Sequence, residues 1–137
     1  MSLYSLFEMD QNAETDGFLL NLQDGDLTVS FLIARAGGSN KKYTNRFQAL
    51  MRPHQHAAQS GKMDEEVAKA ILTKVMAETL ILGWENVNDR NGDPIEFSVE
   101  ECTKLLNDLP ELRDMIWEQA NRAANFIAVE REENAKN

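Results

Sequence analysis

The chain has 137 residues, a net charge of −9 and a single cysteine. A domain near this length buries roughly 68–70% of its unfolded surface and supports a core without staples, while one cysteine excludes an internal disulfide and no stretch reads as a signal peptide or membrane span. An intracellular, soluble, single domain over residues 1–137 is the expectation, with residues 1–13 and 131–137 flexible.

The charge is segregated along the chain. Residues 1–34 hold six acids and no Lys or Arg, residues 35–62 hold six bases and no acid, and residues 63–137 hold seventeen acids against eight bases. An acidic total argues against nucleic-acid binding, which needs a basic footprint. The basic block serves better against acidic protein surface, the chain's own or a neighbour's.

The first predicted element is a β-hairpin in GFLLNLQDGDLTVSFLIARAGG, with Asp24-Gly25 as the turn signal. In its second run Leu27, Val29, Phe31 and Ile33 alternate with Thr28, Ser30, Leu32 and Ala34, so one face is built for a core. Leu19 and Leu32 fall on the outward face, where they either meet a partner chain or are covered by the last helix.

After Gly37-Gly38, Ser39 and Asn40 are capping residues for a helix carrying Tyr43, Phe47, Leu50 and Met51, which Pro53 ends or kinks. His54 and His56 lie two apart; on a helix they point about 200° apart and cannot share a metal, and in a loop no nearby Cys or acid completes a site. Asp64 opens the next helix, expected to run to Leu82 and stop at Gly83.

The segment WENVNDRNGDPIEFSVEE, residues 84–101, sets Asp89, Asn91, Asp93 and Glu100 at calcium-ligand spacing. An EF-hand needs positive φ at its sixth loop position, where this chain has Pro94 with φ locked near −65°. The polar residues read better as turn chemistry, with Asn91-Gly92 supplying the positive φ and Asp89 and Asp93 bonding nearby amides. Trp84, Val87, Ile95 and Phe97 anchor this crossover to the core.

Ser98-Val99-Glu100-Glu101 is a capping box for a short helix bearing Leu105 and Leu106. Pro110 starts the last helix, expected over ELRDMIWEQANRAANFIAVEREEN, with Leu112, Met115, Ile116, Ala120, Ala123 and Ile127 buried and Phe126 and Val129 spare apolar positions. The fold class read from these elements is α+β, mainly α: an N-terminal β-hairpin packed on a bundle of about four helices with an irregular crossover loop.

An enzyme is not expected. Cys102 lies inside a short helix, the histidines are poorly placed, and there is neither a Gly-rich phosphate loop nor a strand-embedded serine nucleophile. Acid pairs such as Glu100-Glu101 read as helix-start charges. No cofactor or metal is expected.

Taken together, the Gly17–Ala34 hairpin, the run RAGGSNKKY and the run LGWENVNDRNGDPIEFSVEE resemble the tail assembly chaperones of long-tailed, lambda-like bacteriophages. The shared pattern is an arginine closing the second strand, a small-residue break, an asparagine opening a helix, and a tryptophan followed by a Gly-x-Pro-x-x-aromatic-Ser crossover. Here these are Arg35, Gly37, Asn40, Trp84, Gly92, Pro94, Phe97 and Ser98, with Asn91 where the family often has Asp. The resemblance spans most of residues 14–110.

The resemblance implies a non-enzymatic factor of the host cytoplasm that coats the tape measure protein during tail construction and is absent from the mature virion. It also implies self-association into rings or spirals, contact with the tail tube protein, and often a longer frameshifted product. Ala135-Lys136-Asn137 can be encoded with a slippery heptamer. Within this reading, Arg35, Lys41, Lys42, Arg46 and Arg52 are the candidate self-association residues, meeting acidic surface of the next copy head to tail. Leu19, Leu32, Phe126 and Val129 are the candidate partner-binding residues; Trp84, Gly92, Pro94 and Phe97 are the structural crossover. The alternative is an acidic adaptor or inhibitor that binds a basic partner as a monomer or dimer.

Overall fold

The computed structural model describes residues 2–128. Val129, the end of the expected last helix and the expected flexible segment 131–137 lie outside them. The described chain is α+β, with a three-stranded antiparallel sheet of order β1-β2-β3 covered by helices.

Two short helices, α1 (Leu3–Phe7) and α2 (Gln11–Asp16), precede the sheet, in the stretch expected to be flexible up to residue 13. Asp10 caps α2, its carboxylate accepting from the amides of Asn12 and Ala13. Gly17, at φ 90°, then turns the chain into β1. A side chain there would press on Leu32 Cγ at 3.0 Å, so glycine is required by space as well as by φ.

Strand β1 (Phe18–Asp24) pairs with β2 (Leu27–Ile33) from Phe18↔Ile33 to Asp24↔Leu27. The two turn residues are therefore Gly25 and Asp26, one place beyond the Asp24-Gly25 signal, with positive φ at the first as a type II′ hairpin needs. The alternation holds: Phe31 and Ile33 are buried, and Phe18, Leu20, Leu22 and Val29 pack around them.

Helix α3 (Lys41–Met51) follows the glycine break and ends at a 3-10 turn containing Pro53 (Arg52–His54), after which α4 covers Gln55–Gln59. Asn40 stands at the helix start but does not cap it with its side chain. It is buried, and its Nδ2 donates to Arg35 O at 2.9 Å and reaches Thr79 O at 3.5 Å, joining the break to the core.

Helix α5 (Glu65–Val75) is capped by Asp64 as expected, but it does not run to Leu82. From Met76 to Leu80 it widens into a π-helical turn, and Ile81–Glu85 form strand β3 against β2. Gly83 is thus a strand residue opposite Leu32 and not a helix stop. Ala34 N donates to Leu80 O at 2.8 Å, fastening the π turn to the end of β2.

Helices α6 (Val99–Asp108) and α7 (Pro110–Asn121) complete the cover. Ser98 Oγ accepts from Glu101 N at 3.0 Å, half of the expected capping box. The last helix stops thirteen residues short of the expected Asn134. Arg122 is extended, Ala123–Phe126 form a 3-10 turn, and Ile127 bridges to Met9. Leaving the helix lets Phe126 turn inward against Phe18, edge to face at 5.3 Å. The core gathers Phe31, Ile33, Met76, Leu80, Ile81, Cys102, Leu106, Ile116 and Ala120 between sheet and helices.

Candidate interaction surfaces

The crossover residues form one compact unit. Asp89 Oδ1 accepts from the amides of Asn91 (2.8 Å) and Asp93 (3.0 Å), Gly92 takes φ 84°, and Asn88 bridges to Pro94. Trp84 Nε1 donates to Ile95 O at 2.8 Å, and its ring meets Phe97 edge-on at 5.0 Å. One oxygen of Asp89 is thus committed to holding backbone amides, as the turn reading requires. Among the described residues, no group of three His, Cys, Asp or Glu side chains is placed to hold a metal ion. A cavity of about 160 Å³ opens between this crossover and α6, lined by Asp89, Ile95, Lys104, Leu105 and Leu109 among others. Cys102, at the base of α6, is fully buried, and burial pushes its thiol up to about 12, far from the thiolate a nucleophile needs.

The basic block divides in two. Arg35 Nη1 donates to Glu14 Oε2 at 2.5 Å, and Arg46 Nε to Glu78 Oε2 at 2.5 Å, so both are engaged within the chain. The Glu78 hydrogen bond also raises the Arg46 guanidinium above its usual value. Lys41, Lys42 and Arg52 are exposed on and beside α3. The segregated charge is therefore partly spent internally, the basic block reaching the acidic first third through Arg35 and the acidic last half through Arg46.

Glu14 is the site residue that the sequence reading missed. It is 3% exposed; besides Arg35, its Oε1 lies 2.9 Å from Ser39 Oγ, and its backbone oxygen accepts from Arg35 N at 2.9 Å. Gly38 passes so close that a Cβ there would lie 1.9 Å from Glu14 Oε2. A lone acid in a polar run carries no motif, and its role emerges only when α2 docks on the loop.

The apolar candidates separate as well. Leu19 is 62% exposed, its pairing neighbour Leu32 is half-buried, and Phe126 is fully buried. Phe126 is therefore core, a correction that follows from the early end of α7. In its place the structure presents α1, where Leu3, Tyr4, Leu6 and Phe7 are between 57 and 77% exposed. Four large apolar residues among the five of LYSLF were visible in the sequence, but too short a run to read as an element.

A family model described as YdaY prophage protein matches residues 38–137, from the glycine break through α7 to the end of the chain. No curated protein and no solved structure matches the chain. With well over half of its length matched, the chain is phage-derived and belongs to the YdaY prophage protein family.

Proposed function

We propose that this prophage protein is a tail assembly chaperone that acts without catalysis, coating the tape measure protein in the host cytoplasm and leaving before the tail is complete. The observation that carries the reading is α1: Leu3, Tyr4, Leu6 and Phe7 all lie more than half exposed. Clustered apolar side chains in water are costly unless a partner covers them, and a helical protein held extended before its tube forms offers complementary apolar stripes. The prophage family and the Arg35-to-Ser98 pattern support the same reading. Many weak copies along one long partner give avidity without tight single contacts, which suits a coat that must be displaced, by tail tube subunits in this case.

The test is co-expression with the long open reading frame encoded downstream, comparing its soluble fraction with and without this chain. Retention in solution, lost when Leu3 and Phe7 are changed to Ser, is the expected result. A partner equally soluble alone that never co-purifies overturns the reading in favour of an acidic adaptor.

A further inference from the structure

The two edges of the sheet are unlike. Strand β3 is blunted: its pairing with β2 shifts register between Leu32 and Ile33, and it ends in the charged Glu85. Bulges and charges are the usual devices that keep a sheet edge from recruiting another strand. Strand β1 has no bulge, and its one charge, Asp24, stands at the turn end of the strand. Its register with β2 is unbroken over seven residues, it contains no proline, and from Phe18 to Gln23 it carries no charge.

The hairpin register decides which backbone groups are free. Because Asp24 and Leu27 flank a two-residue turn, Asp24, Leu22, Leu20 and Phe18 direct their N–H and C=O groups to β2. Leu19, Asn21 and Gln23 direct theirs outward, and among the described residues no backbone hydrogen bond is made on that side. Asn21 Oδ1 accepting from Ser30 Oγ at 2.6 Å fits this register, since side chains approach closest in non-hydrogen-bonded pairs.

We infer that the outer edge of β1 pairs antiparallel with β1 of a second copy, about a two-fold axis through Asn21. In that register the outward groups of Asn21 meet those of Asn21 in the second copy, and Leu19 meets Gln23. The core-facing side chains argue for a second copy over a foreign strand. Phe18, Leu20 and Leu22 are only partly buried, whereas Phe31 and Ile33 one strand inward are buried. The two-fold register sets Leu20 beside Leu22 of the second copy and Leu22 beside its Leu20, so the half-buried apolar positions of the two strands meet on the same face. The pairing is isologous and closes as a dimer, distinct from a head-to-tail charge contact.

The inference deepens the self-association within the chaperone reading and rests on it, but its test is separate from partner solubility. A cysteine at position 21 meets itself across the axis at the roughly 5.5 Å Cα separation of a hydrogen-bonded pair, within disulfide reach. A cysteine at position 19 lies four residues, roughly 13 Å, from its own copy. On mild oxidation Asn21→Cys therefore gives a linked dimer and Leu19→Cys stays single. In the otherwise natural chain, Gln23→Pro removes an outward amide that the monomer does not use, and sedimentation moves from dimer to monomer with far-ultraviolet circular dichroism unchanged. Equal linking of both cysteine variants, linking of neither, or a dimer that survives Gln23→Pro overturns the pairing. If the dimer behaves as expected while the downstream partner ignores the chain, the chaperone reading fails and the pairing stands.

Discussion

Glu14 and Arg35, twenty-one residues apart, meet at 2.5 Å under a loop whose Gly38 leaves no room for a side chain. Glu14 is buried and Arg35 is partly open to water, with side chains 4% and 22% exposed. Removing the arginine strands a buried carboxylate, whereas neutralising the acid leaves a cation that still reaches water. Arg35→Met is therefore expected to cost about 3 kcal/mol and Glu14→Gln about half as much. Denaturant melts of the two variants decide the order; equal costs would mean that the carboxylate is not held as described. Gly38→Ala meets the same oxygen and an unfavourable φ of 56°, and is expected to destabilise by at least about 2 kcal/mol.

Phe126 gives the sharpest separation between a surface role and a core role. Fully buried against Phe18, it should cost about 3–5 kcal/mol when truncated to Ala. Leu19→Ala, at 62% exposure, should stay within about 0.5 kcal/mol. A Phe126→Ala protein that melts with the parent would return this residue to the surface.

For the charge block, Lys41, Lys42 and Arg52 are free to act between copies, while Arg35 and Arg46 are held within the chain. Changing Lys41, Lys42 and Arg52 together to Glu should reduce salt-sensitive association beyond the dimer and leave the melting temperature near that of the parent, because exposed charges are screened and individually weak. Sedimentation across a salt series measures the first effect and calorimetry the second. Association unchanged by the triple reversal would remove these residues from any interface.

Cys102 sets an alkaline limit on stability. Burial raises its folded-state thiol from the usual 9.0 to about 12. The contribution is complete below pH 9 and is lost as pH rises towards 12, where the unfolded chain ionises and the folded chain does not. The loss is on the order of 1.4 kcal/mol per pH unit in that window. Cys102→Ala should flatten this part of the pH–stability curve relative to the parent; parallel curves would mean that the thiol ionises equally in both states.

The hairpin was legible because period-two alternation and the glycine of QDGD are local signals, although the Asp24-Gly25 reading placed the turn one residue early; the Asp64 and Ser98 caps are local signals too. The third strand was not, because the π turn at Met76–Leu80 feeds α5 into β3 without a loop and Gly83 imitates a helix stop. The early end of α7 was equally hidden: ANRAANFIAV carries no Gly or Pro, and the partners that Phe126 meets outside the helix, the Phe18 ring and the Asp10 amide, are more than a hundred residues away. Of the candidate surfaces, exposed charge on α3 was readable from composition. The internal pairs Glu14–Arg35 and Arg46–Glu78 span too much sequence to be read without the fold.

The ladder that joins Glu8–Asp10 to Phe126–Ala128, with Asp10 N on Phe126 O at 2.8 Å and Ala128 N on Glu8 O at 3.2 Å, has a consequence for synthesis. Its partners are separated by nearly the whole described chain, so the entropy of closing that loop delays it behind the local hairpin and helices. On the ribosome the first strand emerges early, yet the ring that covers Phe18 is among the last described residues made. Until position 126 is free of the exit tunnel, Phe18 keeps an open apolar side, and the nascent chain is more prone to association than the finished one.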